Sequence, residues 1–135
     1  MNVIVCLDDK NGMMFNRRRQ SRDRAVCARI AALTAGRVLR MAPCSAGLFG
    51  EELPDVRVGD DFLEASEPGE FCFVENVPLA PWAERIETLI VFRWNRVYPA
   101  DVRLDLALDG AWHLARTEEF PGHSHEKITM EVYER

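Results

Sequence analysis

A strand, a helix and a second strand follow one another near the start of the chain, and this order most constrains the fold. Residues 3–7 are a continuous apolar run, which is typical of a strand buried on both faces. A helix is indicated by Val26, Ile30 and Leu33, which repeat at intervals of four and three residues. Residues 37–41 then predict a short strand. Because such a crossover joins parallel neighbours in one sheet, we expect an α/β protein.

The ends of this helix carry their own signals. Ser21 is a residue type that caps helix N-termini, and Asp23 would lie in the first turn, where a negative charge is favoured. Gly36 falls just past the end, where a left-handed residue commonly stops a helix. The helix is therefore predicted to begin after Ser21 and to end before Gly36.

The remainder of the chain predicts further strands that end in antiparallel pairing. Residues 88–94 are rich in β-branched and aromatic side chains and give the strongest strand signal. Asp109-Gly110 predicts a hairpin turn between an alternating strand at 102–108 and its continuation at Trp112. The other predicted elements are short strands at 56–58, 71–75 and 128–132, a brief helix at 81–86, and a turn or short helix at 43–50.

Length and composition fit one globular domain over residues 1–135. Of the 135 residues, 47% are apolar and 29% are charged, so disorder is not expected. The charge is uneven: residues 1–50 carry nine Lys or Arg against three Asp or Glu, whereas residues 51–135 carry eight against nineteen. The net charge of −5 argues against general nucleic-acid binding.

Cysteine usage and hydropathy bear on the compartment. The four cysteines form no C-x-x-C pair; Cys6 and Cys72 fall in apolar strands and Cys27 on the apolar helix face. The sequence has no secretory leader and no apolar run long enough for a membrane span. These features predict a cytoplasmic protein with reduced thiols and no membrane partner.

A set of residues stands in the order and spacing of a known enzyme family. The set consists of Asp8 and Gly12 after the first strand, Met41 at the second, Ala100-Asp101 before a late strand, and the closing Ser124-His125 and Glu134-Arg135. With this ordered set the chain resembles dihydrofolate reductases over nearly its whole length.

The resemblance implies a fold and an activity. The implied fold is dihydrofolate reductase-like, with a mostly parallel eight-stranded sheet flanked by helices and an antiparallel C-terminal hairpin. The implied activity is NADPH-dependent reduction of folate, in which a carboxylate of the first helix holds the pterin and assists its protonation. Asp23 is the acid available for that role, so the resemblance makes it the candidate catalytic residue.

The family's cofactor and substrate residues are nevertheless replaced. Ala42-Pro43 stands where the family has Gly-Arg, whose arginine holds the NADPH phosphates, and Glu75-Asn76 stands where it has two glycines near the pyrophosphate. A side chain and a negative charge oppose the approach of a phosphate there. Phe92 replaces the threonine that supports the pterin carboxylate. We therefore expect no NADPH cofactor and rank a divergent NAD(P)H-dependent reductase as the second interpretation.

A ligand site is predicted at the carboxyl end of the first strand, where open α/β sheets bind their ligands. Because guanidinium groups bind phosphates and carboxylates, the expected partner is an anionic small molecule. The alternative is that the arginines face solvent and pair with the acidic second half. A homodimer is left open. The candidate ligand-binding residues are Asp8, Asn16, Arg17, Arg19 and Arg22.

Histidines near the C-terminus allow two further interpretations. His123, His125 and Lys127 alternate along a strand, in a pattern compatible with a ribonuclease or another phosphodiester hydrolase. A metal site would need a third ligand beside the two histidines, and the sequence shows none, so no metal is predicted. A non-reductase binding protein is the preferred interpretation, and the hydrolase is the weakest.

Overall fold

The computed structural model describes residues 1–49, 53 and 55–135. This part of the chain contains one α-helix, α1 (Arg24–Leu33), and two short 3-10 helices, Pro43–Ser45 and Ala80–Arg85. Its strands are β1 (Asn2–Leu7), β2 (Gly12–Phe15), β3 (Arg18–Arg19), β4 (Leu39–Met41), β5 (Val56–Val58), β6 (Phe71–Phe73), β7 (Thr88–Arg93), β8 (Val102–Arg103), β9 (His113–Phe120) and β10 (Ile128–Glu134).

The main sheet of the described residues has seven strands in the order β5-β4-β6-β1-β7-β10-β9. As predicted, β1 is central and pairs in parallel with β6 and β7. β10 pairs antiparallel with β7 and with β9. A mostly parallel sheet with an antiparallel C-terminal pair confirms the predicted fold class. The resemblance implied eight strands and several helices, whereas the described residues give this sheet seven strands and one α-helix.

Apolar side chains cover both faces of the main sheet, because successive residues of a strand point to opposite sides. On one face, Ile4 of β1 belongs to the same buried cluster as Val26 and Ile30 of α1. On the other face, Val3 and Val5 pack with the loops that connect the later strands. Burying one such side chain contributes roughly 1.5–3 kcal/mol. The continuous apolar run in β1 therefore reflects two cores, one on each face.

The polar stretch after β1 leads into a small second sheet with the order β3-β2-β8. β2 and β3 form a hairpin in which Phe15 pairs with Arg18. Its two turn residues, Asn16 and Arg17, have φ angles of 51° and 62°. Two left-handed residues in succession match the twist of a tight hairpin. The hairpin thus carries Arg18 and Arg19 on β3 and places Arg17 at its tip.

The predicted hairpin at Asp109-Gly110 is wrong. Only Val102–Arg103 of the alternating segment is a strand, and it pairs with β2 in the small sheet. The strand that follows Trp112, β9, pairs instead with β10. Leu106 and Trp112 are buried in the core cluster on the face opposite α1. The alternating apolar residues at 102–108 therefore belong mostly to a loop that packs on the core, and not to a paired strand.

The predicted N-cap of the helix is also wrong. Asp23, not Ser21, caps α1, and its carboxylate accepts a hydrogen bond from the Ala25 N–H at 2.8 Å. A serine hydroxyl could serve the helix, but only a carboxylate has enough acceptor sites to bind a second segment as well. No helix among the described residues combines the length and apolar character required to cross a membrane.

Candidate functional site

The carboxyl ends of the central parallel strands meet the first turn of α1, and a small cavity lies between them. Its volume is about 20 Å³, which is room for about one water-sized group. Val26, Ile30 and Phe73 form part of its apolar wall. Its polar lining consists of Arg19, Gln20, Ser21, Arg22, Asp23 and Glu75.

An open cleft of about 850 Å³ lies next to this cavity. Arg22, Asp23, Cys27 and Leu48 line both spaces, so the two are adjacent. We call the open space the α1 cleft; it lies between the first turns of α1, residues 47–49 and residues 123–124. Arg22 and Arg24 are exposed at this cleft and have no ion pair with any described residue.

Asp23 ties the start of α1 to the loop before β10. Beyond the helix cap, its carboxylate accepts hydrogen bonds from the backbone N–H groups of His123, Ser124 and His125 at 2.7–3.1 Å. The His125 ring approaches the same carboxylate through Nδ1 at 2.9 Å. A Cβ at Gly122 would lie 2.9 Å from Asp23 Oδ2, so this turn requires glycine. Asp23 is thus an anchor between segments about one hundred residues apart in sequence.

The electrostatics of Asp23 follow from these donors. Burial by itself would raise the pKa of this carboxyl, but the hydrogen bonds from His123, His125, Ser124 and Ala25 outweigh that effect and hold the pKa well below its usual value. Asp23 is therefore ionised at neutral pH and has no proton to donate to a ligand. A direct catalytic role for Asp23 stays a prediction from the resemblance, and its hydrogen bonds bind it to the chain itself.

His125 continues the network on its other side. Its Nε2 lies 3.0 Å from Ser21 Oγ and 3.1 Å from the Tyr98 hydroxyl. The ring stacks on Trp94 with a centroid distance of 4.7 Å and an interplanar angle of 24°. The side chain is 4% exposed. Both ring nitrogens are engaged, so the orientation of His125 is fixed.

Glu75 is a second buried carboxylate, located just after β6. Arg19 binds it in a bidentate manner, with Nε to Oε2 at 2.8 Å and Nη2 to Oε1 at 3.0 Å. The Ser45 hydroxyl donates to the same carboxylate at 2.7 Å. This contact with Glu75 raises the pKa of Arg19 above its usual value. Arg19, predicted as a ligand-binding residue, therefore already holds an anion from its own chain.

Asp8 is also committed to internal hydrogen bonds. Its carboxylate accepts from the N–H groups of Lys10, Gly12 and Tyr98 and from Gln20 Nε2, at 2.7–3.1 Å. Burial would raise the pKa of Asp8, but these donors lower it below its usual value. A Cβ at Gly12 would lie 2.5 Å from Gln20 Nε2, so the glycine is needed for this close approach.

The predicted ligand-binding residues are only partly brought together. Arg19 and Arg22 line the small cavity, whereas Asp8, Asn16 and Arg17 do not. Asn16 binds through its backbone N–H to the Asp101 carboxylate at 3.0 Å. The hairpin carries residues 16 and 17 at its exposed tip. Of the five residues, Arg22 is the one that lines the cavity with a side chain free of described ion pairs.

Sequence reasoning did not identify the roles of Ser21, Tyr98 and Trp94 at this site. The sequence indicates Ser21 only as a helix cap and Trp94 only as the end of the predicted strand at 88–94. Tyr98 lies 27 residues from His125 in sequence, and Ser21 lies 104 residues from it. No local pattern joins residues that far apart. A signal was available for Glu75, because an isolated acid directly after an apolar strand needs a buried partner.

The phosphodiesterase constellation is not assembled. His125 is buried against Asp23, whereas His123 is exposed. Lys127 Nζ lies 3.3 Å from Glu119 on the neighbouring strand. Within the described ranges, no group of three or more His, Cys, Asp or Glu side chains is arranged to hold a metal ion. None of the four cysteines forms a disulfide, and burial, with a smaller contribution from Glu75, raises the pKa of the Cys6 thiol at the cavity well above its usual value.

Comparison with known proteins supports the architecture. No protein-family model matches the chain, and no curated protein matches its sequence. Among solved structures, the chain is similar to the dihydrofolate reductase from Enterococcus faecalis complexed with NADP(H) and RAB-propyl, with a TM-score of 0.70 and 10% sequence identity. The match covers 99% of this chain and 95% of that one. This protein therefore has a dihydrofolate reductase-like fold.

Proposed function

We propose that this protein binds a small organic anion in the α1 cleft and is not a dihydrofolate reductase. One observation carries the proposal: Arg22 and Arg24 lie exposed at the cleft without a described ion-pair partner, while the charge of Asp23 between them is engaged by five hydrogen bonds. Guanidinium groups in this situation attract carboxylates and phosphates. The volume of the cleft lies within the range of small-molecule sites.

The cavity at the inner end of the cleft adds a second requirement for the ligand. Gln20 Nε2 donates to Asp8 and to the carbonyl oxygen of Pro99, which fixes the orientation of the amide. Gln20 Oε1 is left buried without a partner in the described part of the chain. A buried acceptor of this kind favours a donor group on the ligand or a bound water. An anion that also carries a hydroxyl or an N–H group would satisfy this acceptor directly, and a simple anion would leave it to a bound water.

NADPH does not fit in the manner that the fold implies. Pro43 begins a 3-10 helix directly after Ala42, and no arginine stands there to hold a phosphate. The carboxylate of Glu75 stands where the resemblance puts the pyrophosphate contact, and it keeps Arg19 occupied. A buried negative charge beside a pyrophosphate is unfavourable. A divergent reductase would have to hold its cofactor with other residues, and no described contact favours that alternative.

Thermal unfolding tests the proposal. Citrate, phosphate and sulfate, each compared with sodium chloride at matched ionic strength, should give a saturable rise in melting temperature for at least one anion. At a concentration of 100 times Kd the stabilisation is about 2.7 kcal/mol. The double replacement Arg22→Ala and Arg24→Ala should abolish the rise. The control replacement Arg17→Ala and Arg18→Ala should leave it unchanged, because these two side chains do not line the cleft.

Two results would overturn the proposal. One is the absence of any saturable stabilisation, or a stabilisation that survives the loss of Arg22 and Arg24. The other is binding of NADPH with a Kd on the order of 1 µM, measured by the fluorescence of Trp94 at the cavity wall. The second result would restore the reductase interpretation.

A further inference from the structure

Ser21, His125 and Asp23 form a hydrogen-bonded chain that the proposed binding function does not use. Ser21 Oγ lies 3.0 Å from His125 Nε2, and His125 Nδ1 lies 2.9 Å from Asp23 Oδ2. The side chains of His125 and Asp23 are 4% and 0% exposed, whereas Ser21 is only partly buried and lines the small cavity. An accessible serine, a histidine and a buried carboxylate in this order form the arrangement that activates a serine as a nucleophile.

The surroundings fix the histidine in the tautomer that such activation requires. The ionised Asp23 accepts only from an N–H, so His125 carries a proton on Nδ1. Its Nε2 then has a free lone pair that accepts from the hydroxyl of Ser21 or of Tyr98. Stacking on Trp94 prevents the ring from turning away. Asp23 is thus a positioning residue for His125.

We propose that Ser21 is an acyl-accepting nucleophile that hydrolyses small carboxylic esters. Ser21 Oγ forms a bond to the ester carbonyl carbon while its proton passes to His125 Nε2. The bond to the leaving alkoxide oxygen breaks, and that oxygen takes the proton from His125. A water molecule then loses a proton to His125 and attacks the acyl group, which leaves as a carboxylic acid when Ser21 Oγ regains the proton. Arg22, the next residue in the chain, supplies positive charge beside the developing oxyanion.

The dimensions of the cavity define the substrate class. The volume of about 20 Å³ beside Ser21 admits about one methyl-sized group, and the nearby wall is apolar. We therefore expect a small acyl group, such as acetyl. The alcohol part of the ester has more room, because Arg22 and Leu48 border both the cavity and the larger α1 cleft.

Acetylation by p-nitrophenyl acetate tests the inference directly. The full-length protein should release p-nitrophenol and carry one acetyl group on Ser21, located by peptide mass spectrometry, while p-nitrophenyl octanoate should react little. Ser21→Ala should lose this adduct completely. His125→Gln and Asp23→Asn should slow acetylation roughly 100-fold or more. Thr117→Ala, which replaces an exposed hydroxyl of β9 that lines neither the cavity nor the cleft, should react at the wild-type rate.

Tyr98→Phe separates this role from a purely structural network. The replacement removes the competing hydroxyl at His125 Nε2 but keeps Ser21 in place, so acetylation should be as fast as in the wild type or faster. Each variant is first checked for cooperative melting. The inference is overturned if p-nitrophenol release is the same in Ser21→Ala as in the wild type, or if Tyr98→Phe melts cooperatively yet loses the adduct. Its failure is distinguishable from that of the anion proposal, because p-nitrophenyl acetate carries no charge and the acetyl group on Ser21 is detected without any added anion.

Discussion

Asp23 and Glu75 are two buried carboxylates at the same edge of the main sheet, and they are stabilised in different ways. Asp23 is held mostly by backbone N–H groups from α1 and from residues 123–125. Glu75 is held by side chains, the guanidinium of Arg19 and the hydroxyl of Ser45. Backbone donors cannot turn to other partners, whereas side chains can. The hydrogen bonds of Asp23 therefore hold the fold together, whereas the side chains around Glu75 can change partners.

The largest expected effect is that of Asp23→Ala. The replacement leaves backbone N–H groups of two segments and the His125 ring without their acceptor. Each of these hydrogen bonds is made to a charged group, so its loss lowers the free energy of unfolding more than the loss of a neutral one. We expect the free energy of unfolding to fall by about 3–5 kcal/mol, measured by urea denaturation at neutral pH. Asp9→Ala replaces an exposed acid that follows β1, and its free energy of unfolding should stay within about 0.5 kcal/mol of the wild type. If Asp23→Ala lowered the free energy of unfolding by less than an ordinary surface replacement does, Asp23 would not be a structural anchor.

Acid should reduce the contribution of Asp23 and Asp8 to the free energy of unfolding. The pKa of Asp23 and that of Asp8 lie below the usual 3.8 in the folded state, so their contribution is complete above about pH 4 and is lost as the pH falls further. For each group the unfolded state binds up to one additional proton, which corresponds to about 1.4 kcal/mol per pH unit. Denaturant unfolding at a series of pH values should show this slope. In Asp23→Asn the slope should be smaller, and an unchanged slope would contradict the assignment.

Replacing Glu75 with Gln should cost less stability and change ligand binding more. The ion pair with Arg19 is lost, but Arg19 is 27% exposed and can turn to solvent, so we expect a loss of about 2 kcal/mol. The released guanidinium should strengthen the stabilisation by phosphate or sulfate. Glu70→Gln is the matched control, because it breaks a partly buried pair with Arg40 that does not line the site. Equal anion responses in the two variants would show that Arg19 is not part of an adaptable network.

The smallest expected effect is that of Ser45→Ala. One hydrogen bond of 2.7 Å to Glu75 is lost, while both contacts with Arg19 remain. A loss of about 1 kcal/mol in unfolding free energy is expected, against no measurable change for Ser124→Ala. A much larger loss would mean that the hydroxyl, and not the arginine, holds Glu75 in place.

Local patterns were sufficient for the parallel core. Three patterns correctly indicated buried elements: the apolar run of β1, the helical spacing of Val26 and Ile30, and the β-branched run of β7. In each of them the apolar residues of one short segment are buried together. The same patterns failed where burial and pairing differ. Residues 102–108 alternate as a strand does, yet most of them form a loop whose apolar side chains cover the sheet.

The sequence by itself determined the α/β class, the central position of β1 and the charge imbalance, because these depend on periodicity and composition. Only the tertiary structure decided which charges pair and which stay free. Arg19, a predicted ligand-binding residue, pairs with Glu75, 56 residues away, and Asp23, the predicted catalytic acid, binds residues about one hundred positions later. A buried carboxylate must find donors wherever the folded chain brings them, and that choice leaves no periodic trace in the sequence.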